Sequence, residues 1–189
     1  EAASDRTVIA TVEDLKQFAR AVDAGDYDGK TDAVVELAAD LDLTGIEWTP
    51  IGSTVNADGE VEHCFSGKFY GNGHTVSNLD LSDVYGTTGL CGFFGDIENA
   101  EISSLTVQGT INVNSEREYT YYGAIAGFAG GCTIFDCTAD VSFTNNENLV
   151  YGTIGLCGQA SDTVIDYCRN TGDLLLTGDA GSLYAGGIV

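Results

Sequence analysis

The sequence predicts an all-β fold: a parallel β-helix, or solenoid, whose N-terminal end is covered by a single capping α-helix. Three observations predict it. Small-residue boxes recur at Gly89-Leu90-Cys91-Gly92, Ala124-Ile125-Ala126-Gly127 and Gly155-Leu156-Cys157-Gly158, and a fourth begins at Gly187-Ile188-Val189. Their apolar second residues lie 35, 31 and 32 positions apart. Further registers keep the same period: Ile102, Ile134 and Ile165 at 32 and 31, Leu105, Cys137 and Cys168 likewise, and Ile111, Phe143 and Leu174 likewise. Finally, each unit holds three short segments rich in Ile, Leu, Val and Phe, parted by Gly, Asn, Asp and Ser, with no helical stripe. Three strands per turn describe a coil that closes on itself and stacks on the next about 4.8 Å away, with like residues in interior ladders.

Residues 1–32 read as a lead-in and cap, 33–86 as the first coils, and 87–189 as the repeats. Within the lead-in, Thr11 to Asp23 reads as a helix. Thr11 caps it with Asp14 three residues on, while Leu15, Phe18, Ala19 and Val22 form one apolar stripe. Gly25 stops it. Its expected task is to cover the open end of the first coil, whose unpaired edges would recruit other chains. The acidic turn from Asp23 to Asp32 does not make a calcium loop. With Gly29 at the sixth position, Ala24 and Val35 fall where carboxylates are required.

Ala33–Leu37 and Leu41–Leu43 read as strands, and Trp48 beside Pro50 as a buried anchor at a fixed turn. Residues 53–62 form an acidic loop off the coil, a natural place for specificity. His74 reads as a turn histidine satisfied by backbone, since no Asp-Asp pair or Arg-x-Lys accompanies it. Asn114 to Tyr122 looks like the longest departure within a repeat and the source of the 35-residue interval. Corner loops of a solenoid cluster on one face, often the binding face. Tyr119 and Arg117 are therefore the candidate binding residues, suited to stacking on a sugar ring, whereas Tyr122 is assigned to a structural ladder with Tyr151 and Tyr184. The corner loops at 145–148 and 177–181 match it in later coils. The last residues, inside a box, predict further coils or end-to-end self-association through an uncapped C-terminal coil.

The Gly-Leu-Cys-Gly boxes, with Trp48-Thr49-Pro50-Ile51-Gly52 and Phe65-Ser66-Gly67-Lys68-Phe69-Tyr70-Gly71-Asn72-Gly73-His74-Thr75-Val76 ahead of them, resemble the GLUG-motif repeat family of bacterial secreted and surface proteins. The resemblance covers nearly the whole chain, and Ala124 departs from it by replacing the first glycine of a box. It implies a right-handed β-helix at the bacterial cell surface, often a module of an adhesin-like protein.

Charge narrows the function classes. Seven Lys and Arg stand against 29 Asp and Glu, a net charge of −22. Nucleic acid and anionic membrane surfaces need basic patches, so neither is an expected partner, and no apolar run is long enough to span a membrane. The six cysteines permit 15 pairings, but their repeat positions (Cys137 with Cys168, Cys91 with Cys157) suit buried thiols in an interior ladder. Without Cys-x-x-Cys or spaced histidines, no zinc site is expected, nor any cofactor. The sequence reading is a non-catalytic surface module that presents loops to glycan or protein. The alternative is a polysaccharide lyase or glycoside hydrolase. A lyase of acidic polysaccharide needs a basic groove that seven scattered cations do not supply.

Overall fold

The computed structural model describes residues 6–81, 89–113, 120–145, 149–176 and 180–189. The chain winds through about five turns of a parallel β-solenoid with one short helix. Three sheets form its walls. The first runs in the order β1 (Arg6–Ile9), β2 (Val34–Leu37), β4 (Lys68–Tyr70), β8 (Glu101–Ser103), β11 (Thr133–Phe135) and β14 (Val164–Asp166). The second follows β3 (Leu41–Asp42), β5 (Thr75–Leu81), β9 (Thr106–Asn112) and β12 (Thr138–Asn145), which pairs with both β15 (Arg169–Asn170) and β16 (Leu174–Leu176). The third joins β6 (Leu90–Cys91) and β7 (Phe94–Glu98) to β10 (Thr120–Gly130), then β13 (Leu149–Ser161) and β17 (Ala180–Ala185).

Two corners repeat from coil to coil. Asn99, Gly131 and Asp162 hold φ of 53°, 63° and 49° between the third and first sheets, and Ser104, Asp136 and Tyr167 hold 50°, 53° and 54° between the first and second. A left-handed residue at each corner turns the chain tightly, and short polar side chains tolerate that conformation best. Tyr167 is the bulky exception.

The registers of the interior follow the sequence period. Ile134 pairs with Ile102 and Ile165, and Phe143 with Ile111 and Leu174. The box register is corrected. Phe94 pairs with Ala126 and Ala126 with Cys157, so the first box is Gly92-Phe93-Phe94-Gly95 and the spacing is 32 and then 31. Leu90 pairs with Tyr121 instead of aligning with Ile125. The 35-residue interval is thus a shifted alignment, and residues 114–119 do not account for it. The same pairing separates Cys91, which meets Tyr122, from Cys157. The pairing of β10 with β13, and of β13 with β17, also dissolves the tyrosine ladder, because Tyr122 pairs with Ile154 and Tyr184 stands in line with Thr153 and Tyr121. Glycine is required at the end of the box: a Cβ on Gly127 would press on Leu90 and Cys91 at 2.8 Å, and one on Gly158 on Tyr121 and Tyr122.

Among the described residues a departure from the coil lies earlier. Ile51 bridges to Phe94 and Phe65 to Ile97, offsets of 43 and 32, so 11 extra residues leave the wall between them. They fold as a small hairpin, with Val55 bridged antiparallel to Val61.

The cap forms as its sequence dictates. α1 (Val12–Asp23) opens with a reciprocal capping box between Thr11 and Asp14. It closes with Gly25 (φ 81°) donating to the Val22 carbonyl and Asp26 to that of Ala21, a Schellman end. Leu15, Phe18 and Val22 are buried, and the Phe18 ring lies 5.4 Å from Phe65 and 5.8 Å from Phe69. Trp48 is the anchor expected of it: buried, stacked on Phe93 at 5.5 Å, with its indole N–H donating to the Phe93 carbonyl at 3.1 Å.

Candidate functional site

Two features concentrate chemistry. The first is a column of side chains along the solenoid axis. Because strand neighbours are in register, Tyr121, Thr153 and Tyr184 project from the same wall on three successive coils. Tyr122, one residue on, points inward and is buried. Tyr121 and Tyr184 are therefore two rungs apart, about 9.6 Å by the spacing of parallel strands. They line one open cavity of about 540 Å³ together with Thr153, Gln159 and Ala185. Tyr184 is 61% exposed. Aromatic faces with hydroxyl tips, a threonine between them and a carboxamide alongside make a surface with both stacking and hydrogen-bonding capacity.

The second feature lies at the base of the hairpin. Asp28 draws two groups together: its carboxylate accepts the Cys64 amide at 3.2 Å and pairs with His63 Nδ1 at 2.7 Å. That hydrogen bond holds His63 above its ordinary range. Asp23, at the end of α1, accepts the Gly52 amide, and burial raises its carboxyl. The acidic turn from Asp23 to Asp32 is thus tied to the hairpin through Asp23 and Asp28. On the neighbouring coil Asp96 is only 7% exposed, beside Phe128 in the next strand. Its Oδ1 is buried without a hydrogen-bond partner among the described residues, and desolvation, aided by Glu98, pushes the carboxyl up to about 7. Glu98 stands two residues further along β7.

Searches of protein families, curated proteins and solved structures return no match to this chain. The site therefore rests on its own geometry.

Arg117 and Tyr119 lie outside the described residues, as do 146–148 and 177–179 of the later corner loops. Sequence reasoning missed Tyr121 and Tyr184 as a pair. The signal was present, since 32 plus 31 residues separate them, two coil periods, but the ladder was drawn through Tyr122 instead. It also missed His74: the ring Nδ1 pairs with Asp40 at 3.0 Å, a side-chain partner where a backbone one was expected. Among the described residues no group of three or more His, Cys, Asp or Glu is arranged to hold a metal ion, and no helix is long and apolar enough to cross a membrane.

Proposed function

We propose that this chain is a non-catalytic β-helix module of a bacterial cell surface that holds glycan along its outer wall. The observation that carries this reading is the registered pair Tyr121 and Tyr184 over one cavity. Platforms about 9.6 Å apart suit alternate rings of an extended saccharide chain lying parallel to the solenoid axis, with Thr153 and Gln159 placed to bond its hydroxyls. The surface location rests on the resemblance to GLUG-motif proteins, and the adhesin-like role follows from it. A net charge of −22 favours neutral or cationic glycans over acidic ones. The exposed apolar side chains of the last coils, Val164, Leu174 and Leu175, leave self-association through that end as a further contact of the module.

One observation favours a second reading, a glycoside hydrolase. Asp96 and Glu98 share a strand face with Cα atoms about 6.6 Å apart by strand geometry. A carboxyl that keeps its proton near neutrality beside another carboxylate is the arrangement of a general acid and its partner. The burial of Asp96 weighs against it, since no substrate oxygen reaches Oδ1 without movement of its surroundings.

Affinity electrophoresis through neutral, acidic and cationic polysaccharides, with assay for new reducing or unsaturated ends, separates the readings. The expected result is retention without cleavage, weakened about tenfold or more by Tyr184→Ala, a loss of about 1.4 kcal/mol. New chain ends that vanish in Asp96→Asn would replace the module with the hydrolase.

A further inference from the structure

In a solenoid each residue has a fixed neighbour on the coil before and the coil after, so a cysteine's chemistry depends on who shares its column. Cys64 falls beside Asp96, Cys91 beside Tyr122, Cys132 beside Ala100 and Thr163, and Cys157 beside Ala126. Cys137 and Cys168 alone among the described residues place sulfur against sulfur. Thr138 pairs with Arg169, and the Arg169 amide donates to the Cys137 carbonyl at 2.9 Å, which fixes the step. Both cysteines directly follow a corner residue of the same left-handed conformation, Asp136 at φ 53° and Tyr167 at φ 54°, so their side chains leave the wall in the same direction. In-register parallel neighbours lie about 4.8 Å apart, inside the Cα range of 4.4–6.8 Å that a disulfide accepts.

The two thiols differ in access. Cys137 is fully buried, its Sγ near the carbonyls of Phe135 (3.4 Å) and Ile102 (3.8 Å). Cys168 is partly exposed, with Sγ near the carbonyls of Asp166 (3.3 Å) and Ile134 (3.5 Å). We propose that Cys168 and Cys137 form a peroxide-reactive dithiol site, Cys168 attacking and Cys137 resolving. The neighbouring Cys137 thiol lowers Cys168 below the ordinary thiol range, against desolvation by burial and the charge of Asp136, and the same interaction raises Cys137. By contrast, burial pushes Cys91 up to about 12 and Cys64 and Cys132 to about 11, which leaves them poor nucleophiles.

The chemistry balances with a hydroperoxide as oxidant. The Cys168 thiolate forms an S–O bond as the O–O bond breaks, giving a sulfenic acid and hydroxide. The Cys137 thiol gives its proton to that hydroxide and its sulfur attacks the sulfenic sulfur. The S–S bond forms, the S–O bond breaks, and the departing hydroxide takes up the proton Cys168 released at the start. Two thiols and one hydrogen peroxide yield one disulfide and two waters, the sulfurs losing two electrons to the peroxide. The inference is independent of glycan binding.

The test treats the reduced, folded full chain with stoichiometric hydrogen peroxide, followed by thiol titration and peptide mass mapping. The expected product has lost two thiols, joined as a Cys137–Cys168 link, with Cys168 consumed about tenfold or more faster than Cys91 or Cys157. In Cys137→Ala, a sulfenic acid at Cys168 is trapped by dimedone and no link forms. Cys168→Ser, at a partly exposed position, keeps Cys137 as a thiol even if the core substitution unfolds the chain. A different cross-link, unlinked over-oxidation of Cys168 in the unsubstituted protein, or equal loss of all six thiols would overturn the proposal.

Discussion

Asp96 is a carboxyl on the outer side of a wall that the fold nonetheless shields from water, between the coil bearing Cys64 and the strand bearing Phe128. Such a group favours its neutral form, and the consequence for stability has a definite sign. Its folded pKa, about 7, stands above the ordinary 3.8, so its contribution is fully present below about pH 4 and is lost as pH rises through about 7. The shift sets a ceiling of roughly 4 kcal/mol on that loss. Denaturant titrations of wild type and Asp96→Asn at pH 4 and pH 8 should show a steeper decline for the wild type. Parallel pH profiles would refute the assignment. The tyrosine column belongs to this scale too: shifting the register by one residue exchanges Tyr121, which faces the cavity, for Tyr122, which fills the core.

At the scale of elements, α1 gains little from its own hydrogen bonds. A 12-residue helix is marginal alone, and packing of its apolar face decides whether it persists. Phe18 is the centre of that face, touching Tyr27, Phe65 and Phe69 at ring-centroid distances of 5.1–5.8 Å. Phe18→Ala should cost about 3–5 kcal/mol of global stability. Because the helix covers the first coil, the variant should also bind more of a hydrophobic dye than wild type does. A change below about 1 kcal/mol without added dye binding would mean that the cap docks loosely. The cap and the three interior registers were legible because each is local or strictly periodic. The hairpin was legible only as a loop, since its ties to Asp23 and Asp28 join residues 29 and 36 positions apart.

Over the whole molecule, 29 acids against seven bases place like charges on stacked coils only a strand spacing apart. The ion pairs among the described residues do little to offset this: Arg6 pairs with Glu36, Arg20 with Glu13 at the exposed face of α1, and Asp28 with His63. Screening should therefore stabilise the fold. Raising NaCl from 0.02 to about 0.5 M shortens the screening length to a few ångströms and should raise Tm by roughly 2–4 °C, about 1 kcal/mol. A Tm that is flat or falls with salt would show that the surface charges are already relaxed. If the Cys137–Cys168 link forms, it closes a 32-residue segment across the last coils and adds roughly 3.5 kcal/mol on the loop-entropy account.

The sequence by itself determined the coil period, three strands to the turn, the capping helix, and the interior columns from Ile102, Leu105 and Ile111. These are repeats of composition, and stacking at one rung per coil turns a sequence period directly into a spatial column. Only the tertiary structure decided the box register. Gly89-Leu90-Cys91-Gly92 and Gly92-Phe93-Phe94-Gly95 both satisfy the pattern, and the choice falls to the pairing of Phe94 with Ala126 and the seating of Phe93 against Trp48. From that shift follows the separation of Cys91 from Cys157, which leaves Cys137 with Cys168 as the shared cysteine column among the described residues. The tyrosine pair on the outer wall follows from the one-residue irregularity between Gly123 and Ala126 where β10 pairs with β13. Each depends on which residues of different coils meet, and glycine-rich boxes, with no side chain at their ends, leave that choice to packing.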